Sequence, residues 1–422
     1  MISSTELITP YRKTVRAAYQ AATEAVTIRE NMKMQAGQRK DFQFLAANLA
    51  HFMPHIHASD YEAIYRQILI YHLLSKSYPA DVNVGSMDDM RVEGDTAFLD
   101  PQAGRTARIF CSFHMGGYQS VMALLANAGY SLSVVTTRVF YDTQRDTIDR
   151  IAREINSFKG TELTIQLLNA ESTDIGKQMA MSLASGRSIL ILLDGNTGIG
   201  GAHHRDSRQL RVPFLNQTIF SRTGVATLSH AFKVPIIPVT SYYVHIDGIP
   251  IPHYHCSPAI TPGLLAMPQD EYVRHATSVM YQVLADRVGQ YVDQWENWFY
   301  VHKFLDTDAL VAQALPAREE PINPVAKLFF DNHRFGLFKL ESDGYLFDKL
   351  TYLAYPLTSS VYNWLSDLST NVYLGQSMTD MLSQQPASVI NRFYQLRSLI
   401  YYHEASSFDV YKQPLVELEP HC

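Results

Sequence analysis

Cysteine is scarce in this 422-residue sequence. There are three, Cys111, Cys256 and Cys422, odd in number and far apart. That excludes a disulfide framework and fits a reducing compartment. A basic excess is also missing: the formal net charge is −6, which gives no general case for nucleic-acid binding. Long apolar runs are absent too. Ser188–Leu193 and Val234–Thr240 fall far short of the roughly 20 residues that a membrane-spanning helix needs. The opening Met1-Ile2-Ser3-Ser4-Thr5-Glu6 lacks the basic and apolar regions of a signal peptide, so a cytosolic location is expected. No Gly-x-Ser-x-Gly elbow and no Gly-x4-Gly-Lys-Ser/Thr loop occurs. The glycine-rich Gly195–Gly201 lacks the spacing and helix context of a dinucleotide fingerprint. With 46% hydrophobic and 18% charged residues, the chain reads as globular.

What is present has a clear order. Residues 1–85 form a helical region. Thr9-Pro10 supplies a helix start, and Tyr61, Ile64, Tyr65, Ile68, Leu69 and Tyr71 recur at helical spacing. Over 86–305, strand-like segments (106–113, 131–137, 162–168, 187–194, 234–244) alternate with helix-like ones (117–128, 142–156, 174–184, 222–231). The alternation predicts an α/β fold with a mainly parallel sheet flanked by helices. A Pro-containing linker, 306–324, leads to a C-terminal unit over 325–422 that combines strand-like and helical segments.

In a parallel sheet, reactive groups gather beyond the carboxyl ends of the strands. His114, Arg138 and Asp194 all fall at such ends. His114 is followed by Gly116 and Gly117, which let a substrate approach the backbone, and by the start of a helix. His253, His255 and Cys256 look metal-like, but no second ligand cluster has matching spacing, and no metal is expected. Cys111, inside an apolar strand, reads as a core residue. His203-His204 reads as an exposed loop pair.

Taken together, these residues resemble the lysophospholipid acyltransferase superfamily over roughly residues 40–305. The nearest branch is the bacterial lipid A biosynthesis acyltransferases. Asn48-Leu49 with Phe52-Met53-Pro54 is similar to that branch's "NL…FP" segment, and His114-x4-Gln119 falls where the family has His-x4-Asp/Glu. Thr137-Arg138, Asp194-Gly195-Asn196-Thr197-Gly198, Val212-Pro213-Phe214-Leu215-Asn216 with Thr223-Gly224, and Val234–Val239 match further blocks in order. Gln294-Trp295-Glu296-Asn297-Trp298 with His302 resembles the closing "QW.W.H". Three departures stand out: Gln119 for the carboxylate, Asn216 for a glycine, and no N-terminal membrane helix.

The resemblance implies transfer of an acyl group from a carrier-protein thioester or acyl-CoA. The acceptor would be an amine or hydroxyl of a soluble small molecule or peptide, in specialised metabolism. No resident cofactor is expected, since the donor itself carries the phosphopantetheine. His114 would be the general base. Gln119 can hold the imidazole by a hydrogen bond but cannot balance its charge. The acceptor is then already a good nucleophile, or Asp194 or Asp142 replaces the missing carboxylate, or the chain only binds. Thioester hydrolysis is a further outcome. Arg138 reads as a partner for a donor phosphate or the oxyanion, or as a solvated arginine. Gly116, Gly117, Asn196, Arg211, Phe214, Arg222 and Thr223 are expected to bind substrate. Arg205, Arg208, Arg211 and Arg222 form a basic cluster suited to an acidic carrier protein. The C-terminal unit reads as winged-helix-like and resembles, on hydrophobic pattern alone, PqqD-like domains that present peptides. Its many aromatics either pack it or form a surface for a partner.

Overall fold

The computed structural model describes residues 10–32, 39–77, 91–100, 106–195, 209–263, 267–313, 316–370 and 375–401. It divides into two compact units. The first comprises Met1–Arg29, Arg66–Asn297 and Lys303–Leu305; the second comprises Glu30–Tyr65, Trp298–His302 and Asp306–Cys422. This differs from division at 85 and 305, because the chain passes between the units more than once.

The helices α1 (Pro10–Met32), α2 (Lys40–Phe52) and α3 (Tyr61–Ser77) come first. A seven-stranded sheet follows in the first unit. Its strands are β1 (Arg91–Gly94), β2 (Ile109–Ser112), β3 (Leu132–Thr136), β4 (Ile165–Asn169) and β5 (Ser188–Leu192), together with two strands described below. The intervening helices are α4 (Val121–Asn127), α5 (Arg138–Lys159) and α6 (Ile175–Ala184). A hairpin of β6 (Gln209–Phe214) and β7 (Gln217–Arg222) stands apart from the sheet, and α7 (Gly224–Phe232) leads into β8 (Ile236–Ile246) and β9 (Ile249–Cys256). The order is β1-β9-β8-β2-β5-β3-β4, parallel except for the β8–β9 pair. Helix α8 (Gln269–Gln290) and a run of short 3₁₀ turns close the unit.

Sequence explains these placements. All four residues of β2 are buried, as expected for a strand covered on both faces. The edge strand β4 instead exposes Gln166. Thr137 caps α5 by accepting from the Phe140 N–H, and Gly160, in a left-handed conformation, ends it. Leu124, Leu125, Ile148, Ile155, Phe110 and Leu190 belong to the core cluster on this sheet.

The second unit holds α9 (Thr307–Gln313), β10 (Lys327–Phe330), β11 (Phe335–Leu340), β12 (Asp343–Asp348), β13 (Ala354–Leu357), α10 (Ser359–Thr370), β14 (Gln376–Ser377), α11 (Met378–Leu382), α12 (Ala387–Gln395) and β15 (Leu399–Tyr401). These strands form two three-stranded sheets, β14-β10-β15 and β11-β12-β13. Helix α2 belongs here. Its Phe44 and Ala47 pack with Phe338 and Phe347, and its Gln43 amide sits against Gly336, 1.8 Å from where a Cβ would lie. Asn48 donates to the Trp298 carbonyl (2.6 Å) and accepts from the Tyr352 hydroxyl (2.9 Å). No described helix is long and apolar enough to cross a membrane.

Candidate active site

Strand register brings the site together. β2 lies beside β5 with Ser112 opposite Leu192, so His114 and Asp194, each two residues further on, meet at the strand ends. His114 Nδ1 is 2.9 Å from Asp194 Oδ1, and the backbone N–H of His114 donates to both carboxylate oxygens (3.1 and 2.9 Å). Asp194 is 2% exposed. Trp295 Nε1 donates to its Oδ2 at 2.8 Å, and the Asn297 side chain holds its backbone carbonyl at 2.7 Å. An ionised carboxylate only accepts, so Nδ1 carries the proton and Nε2 is left as the base. Burial pushes the His114 pKa down, but the charge and hydrogen bond of Asp194, with the charge of Glu296, outweigh it and raise the value above the ordinary one.

Four consecutive residues clamp this corner. The Gln294 side chain bonds the Tyr243 N–H (2.7 Å) and carbonyl (3.0 Å), and its own carbonyl accepts from Gly116 (3.0 Å). Trp295 and Asn297 hold Asp194, as above. The Glu296 N–H donates to the His114 carbonyl (3.0 Å), and its carboxylate lies 3.0 Å from His72 Nδ1. Phe214 (1% exposed) packs on the Trp295 ring, with centroids 5.3 Å apart.

His114 opens on a cavity of about 1130 Å³. Its walls are mostly apolar: Val134 and Val135 of β3, Leu190 to Leu193 at the end of β5, Met179 of α6, and Val225 and Leu228 of α7. Helix α5 contributes Phe140, Gln144, Thr147 and Ile151. Their spacing of four, three and four puts them on one helix face, a stripe roughly 16 Å long at 1.5 Å per residue. Lys76, Lys177 and Arg222 also line it.

Several expected roles fall elsewhere. Gln119 lines the cavity beside the Tyr118 hydroxyl, and the carboxylate bonded to the imidazole is Asp194, one of the two replacements named from the sequence. Arg138 is paired with Asp142 (3.6 Å) on the exposed start of α5 and is not among the lining residues. Asp142 is likewise not among the lining residues. Gly116 and Gly117 pack closely against β8 and β9 and are not among the lining residues. A Cβ on Gly116, whose φ is +54°, would lie 2.5 Å from the Tyr242 Cα, and one on Gly117 would lie 3.1 Å from Pro252. Phe214 supports Trp295, and Arg211 lies over the Phe220 ring on the hairpin. Arg222 and Thr223 line the cavity. Asn196, Arg205, Arg208, the His203-His204 pair and Cys422 lie outside the described residues. His255 lies 3.6 Å from Glu93, and among the described residues no group of three or more His, Cys, Asp or Glu is placed to hold a metal ion.

No site role was expected of Tyr118, Glu296, His72 or the α5 stripe. The stripe and His72 showed in the sequence only as helical spacing, and Glu296 only as a member of the closing Gln294–Trp298 block. The chain matches no family model and no curated protein.

Proposed function

We propose that the chain is an acyltransferase that moves an acyl group from a carrier-protein thioester, or from acyl-CoA, to an amine or hydroxyl of a soluble acceptor. The observation that carries this reading is a carboxylate-backed histidine at the mouth of a large apolar cavity. A cavity above the 300–1,000 Å³ usual for small-ligand sites suits a long acyl chain, each methylene of which gains about 0.8 kcal/mol on burial. His114 Nε2 takes the acceptor's proton as that acceptor attacks the thioester carbon. The tetrahedral intermediate collapses, the carbon–sulfur bond breaks, and the imidazolium returns the proton to the departing thiolate. Asp194 keeps the ring in the productive tautomer and balances its charge meanwhile. Lys76, Lys177 and Arg222 at the cavity suit the phosphates of a pantetheine donor.

The same reading takes the first unit as acyltransferase-like in fold. It takes the second as winged-helix-like, on the sequence α10, β14, α11, α12, β15 with β10 completing a small sheet. Specialised metabolism in the cytosol is its setting.

The test is intact-mass spectrometry of acylated carrier proteins and acyl-CoAs incubated with the wild type and His114→Ala, with an extract as acceptor pool. Expected is acyl loss matched by a new acylated product, slowed about 10³-fold in the variant. Ile151→Trp, which narrows the cavity, shifts preference to shorter chains. Free acid as the sole product would make the chain a thioester hydrolase. No loss from any donor would overturn the reading.

A further inference from the structure

Behind His114 runs a second chain of polar groups. Tyr118 packs edge-on against the imidazole with centroids 5.0 Å apart and lines the cavity. Its hydroxyl lies beside the Gln119 amide and the Glu296 carboxylate, and the Glu296 N–H holds the His114 carbonyl at 3.0 Å. Glu296, 14% exposed at its side chain, is 3.0 Å from His72 Nδ1, and His72 on α3 is 35% exposed. The order is Gln119, Tyr118, Glu296, His72, and then solvent.

Proton counting gives that chain a task. An alcohol and a thioester yield an ester and a thiol with no proton left over, so His114 alone suffices. A primary amine is an ammonium at neutral pH, with a pKa near 10 for a lysine-like group. Its reaction with a thioester yields an amide, a thiol and one surplus proton. His114 carries one proton from nitrogen to sulfur; the other needs a separate exit.

Resting on the acyl-transfer reading, we infer that the acceptor is a primary amine arriving as its ammonium, and that its surplus proton leaves through Tyr118, Glu296 and His72. The Tyr118 hydroxyl passes its proton to Glu296 as it receives the ammonium's. Glu296 hands on to His72, and His72 to water. No tyrosinate accumulates, consistent with a hydroxyl whose pKa is raised by burial and then by Glu296. Gln119 fits the same scheme. Its neutral amide lies beside Tyr118, where a carboxylate would face Glu296 with like charge.

The experiment uses the full chain, an acyl-pantetheine thioester, and a panel of primary amines against the matching alcohols. Products are identified by mass, and protons released are counted with an indicator dye. Tyr118→Phe, Glu296→Gln and His72→Gln are compared across pH. The groups facing Glu296 are His72, Tyr118, His114 and, from β8, Tyr243; Asp194 faces His114 and Tyr118. Lys76 lies one turn along α3 from His72. Expected are amide product, one proton released per turnover, and variants slowed about 10²-fold at pH 7. They converge on the wild type as pH nears the amine's own pKa, with the KM for thioester unchanged. Ester or free acid without amide would overturn the inference. So would amide formation with an equal loss at every pH, which marks packing alone. Absence of any His114-dependent thioester loss would instead bring down acyl transfer itself.

Discussion

Each unit buries an aspartate almost completely, and the two are held in different ways. In the second unit Asp348, 2% exposed, takes two bonds from Arg334 (Nε at 3.0 Å, a terminal nitrogen at 2.7 Å). In the first, Asp194 is bonded by a backbone N–H, an indole and an imidazole. Arginine stays charged at every relevant pH, so Asp348 is permanently neutralised. Among the described residues no permanent cation is paired with Asp194: the cation beside it appears when His114 takes up a proton. A fixed cation makes a fastener. A cation that comes and goes makes a group able to work, and His114 lines the cavity.

Removing the charge in the first unit has the largest expected effect. Asn at 194 cannot accept from both Trp295 and the imidazole N–H, and it balances no charge. Asp194→Asn should therefore lower thioester turnover by about 10³–10⁴-fold, read from initial rates on folded protein. Breaking the fastener acts on stability instead. Arg334→Met leaves Asp348 buried and unpaired, and denaturant titration should show a loss of about 3–5 kcal/mol with turnover per folded molecule retained.

The two units should also answer pH in opposite senses. The folded pKa of His114 is raised, so its contribution is fully present below the unfolded value near 6.5 and is lost as pH rises through the folded value. Burial lowers Lys349 in the second unit from 10.5 to about 8, against the pull of Asp331 and Asp348. Its contribution is present above the unfolded value and is lost as pH falls through about 8. Unfolding midpoints followed across pH should rise between about 8 and 10.5 from Lys349, a slope that Lys349→Met removes. Activity should fall on the acid side of a limb lying above 6.5, and Asp194→Asn should move that limb to lower pH. The smallest effect concerns Cys111. It is fully buried, its thiol pushed well up by burial and then by Asp194. Iodoacetamide on the native protein should leave it unlabelled and turnover unchanged; labelling with loss of activity would mean that the strand beneath His114 opens.

How far the sequence showed this contrast depends on distance along the chain. The strands and helices of the central sheet announce themselves by local pattern, and β2, β3 and β5 lie within the stretches so marked. His114, Arg138 and Asp194 do fall at strand ends, yet only two of them meet. Which ends are neighbours depends on the order β2-β5-β3, and periodicity carries no information about order. The sequence therefore offers Asp194 and Asp142 alike for the carboxylate that Gln119 lacks, and only the fold shows that Asp194, 80 residues on, is the one that meets His114. The β6–β7 hairpin lies off the sheet, and its Pro213 masks the strand pattern. Asn48 illustrates the same limit: its partners, Trp298 and Tyr352, are 250 and 304 residues away, so nothing local assigns α2 to the second unit.

The clamp at Gln294–Asn297 bears on the order in which the chain is made. Synthesis proceeds from the N-terminus, so Asp194 leaves the ribosome 101 residues before Trp295, and His114 earlier still. Until then Asp194 lacks its indole donor and the His114 loop is unpinned. In a nascent chain the His114–Asp194 pair is thus incomplete, and its remaining partners arrive with the last residues of its unit.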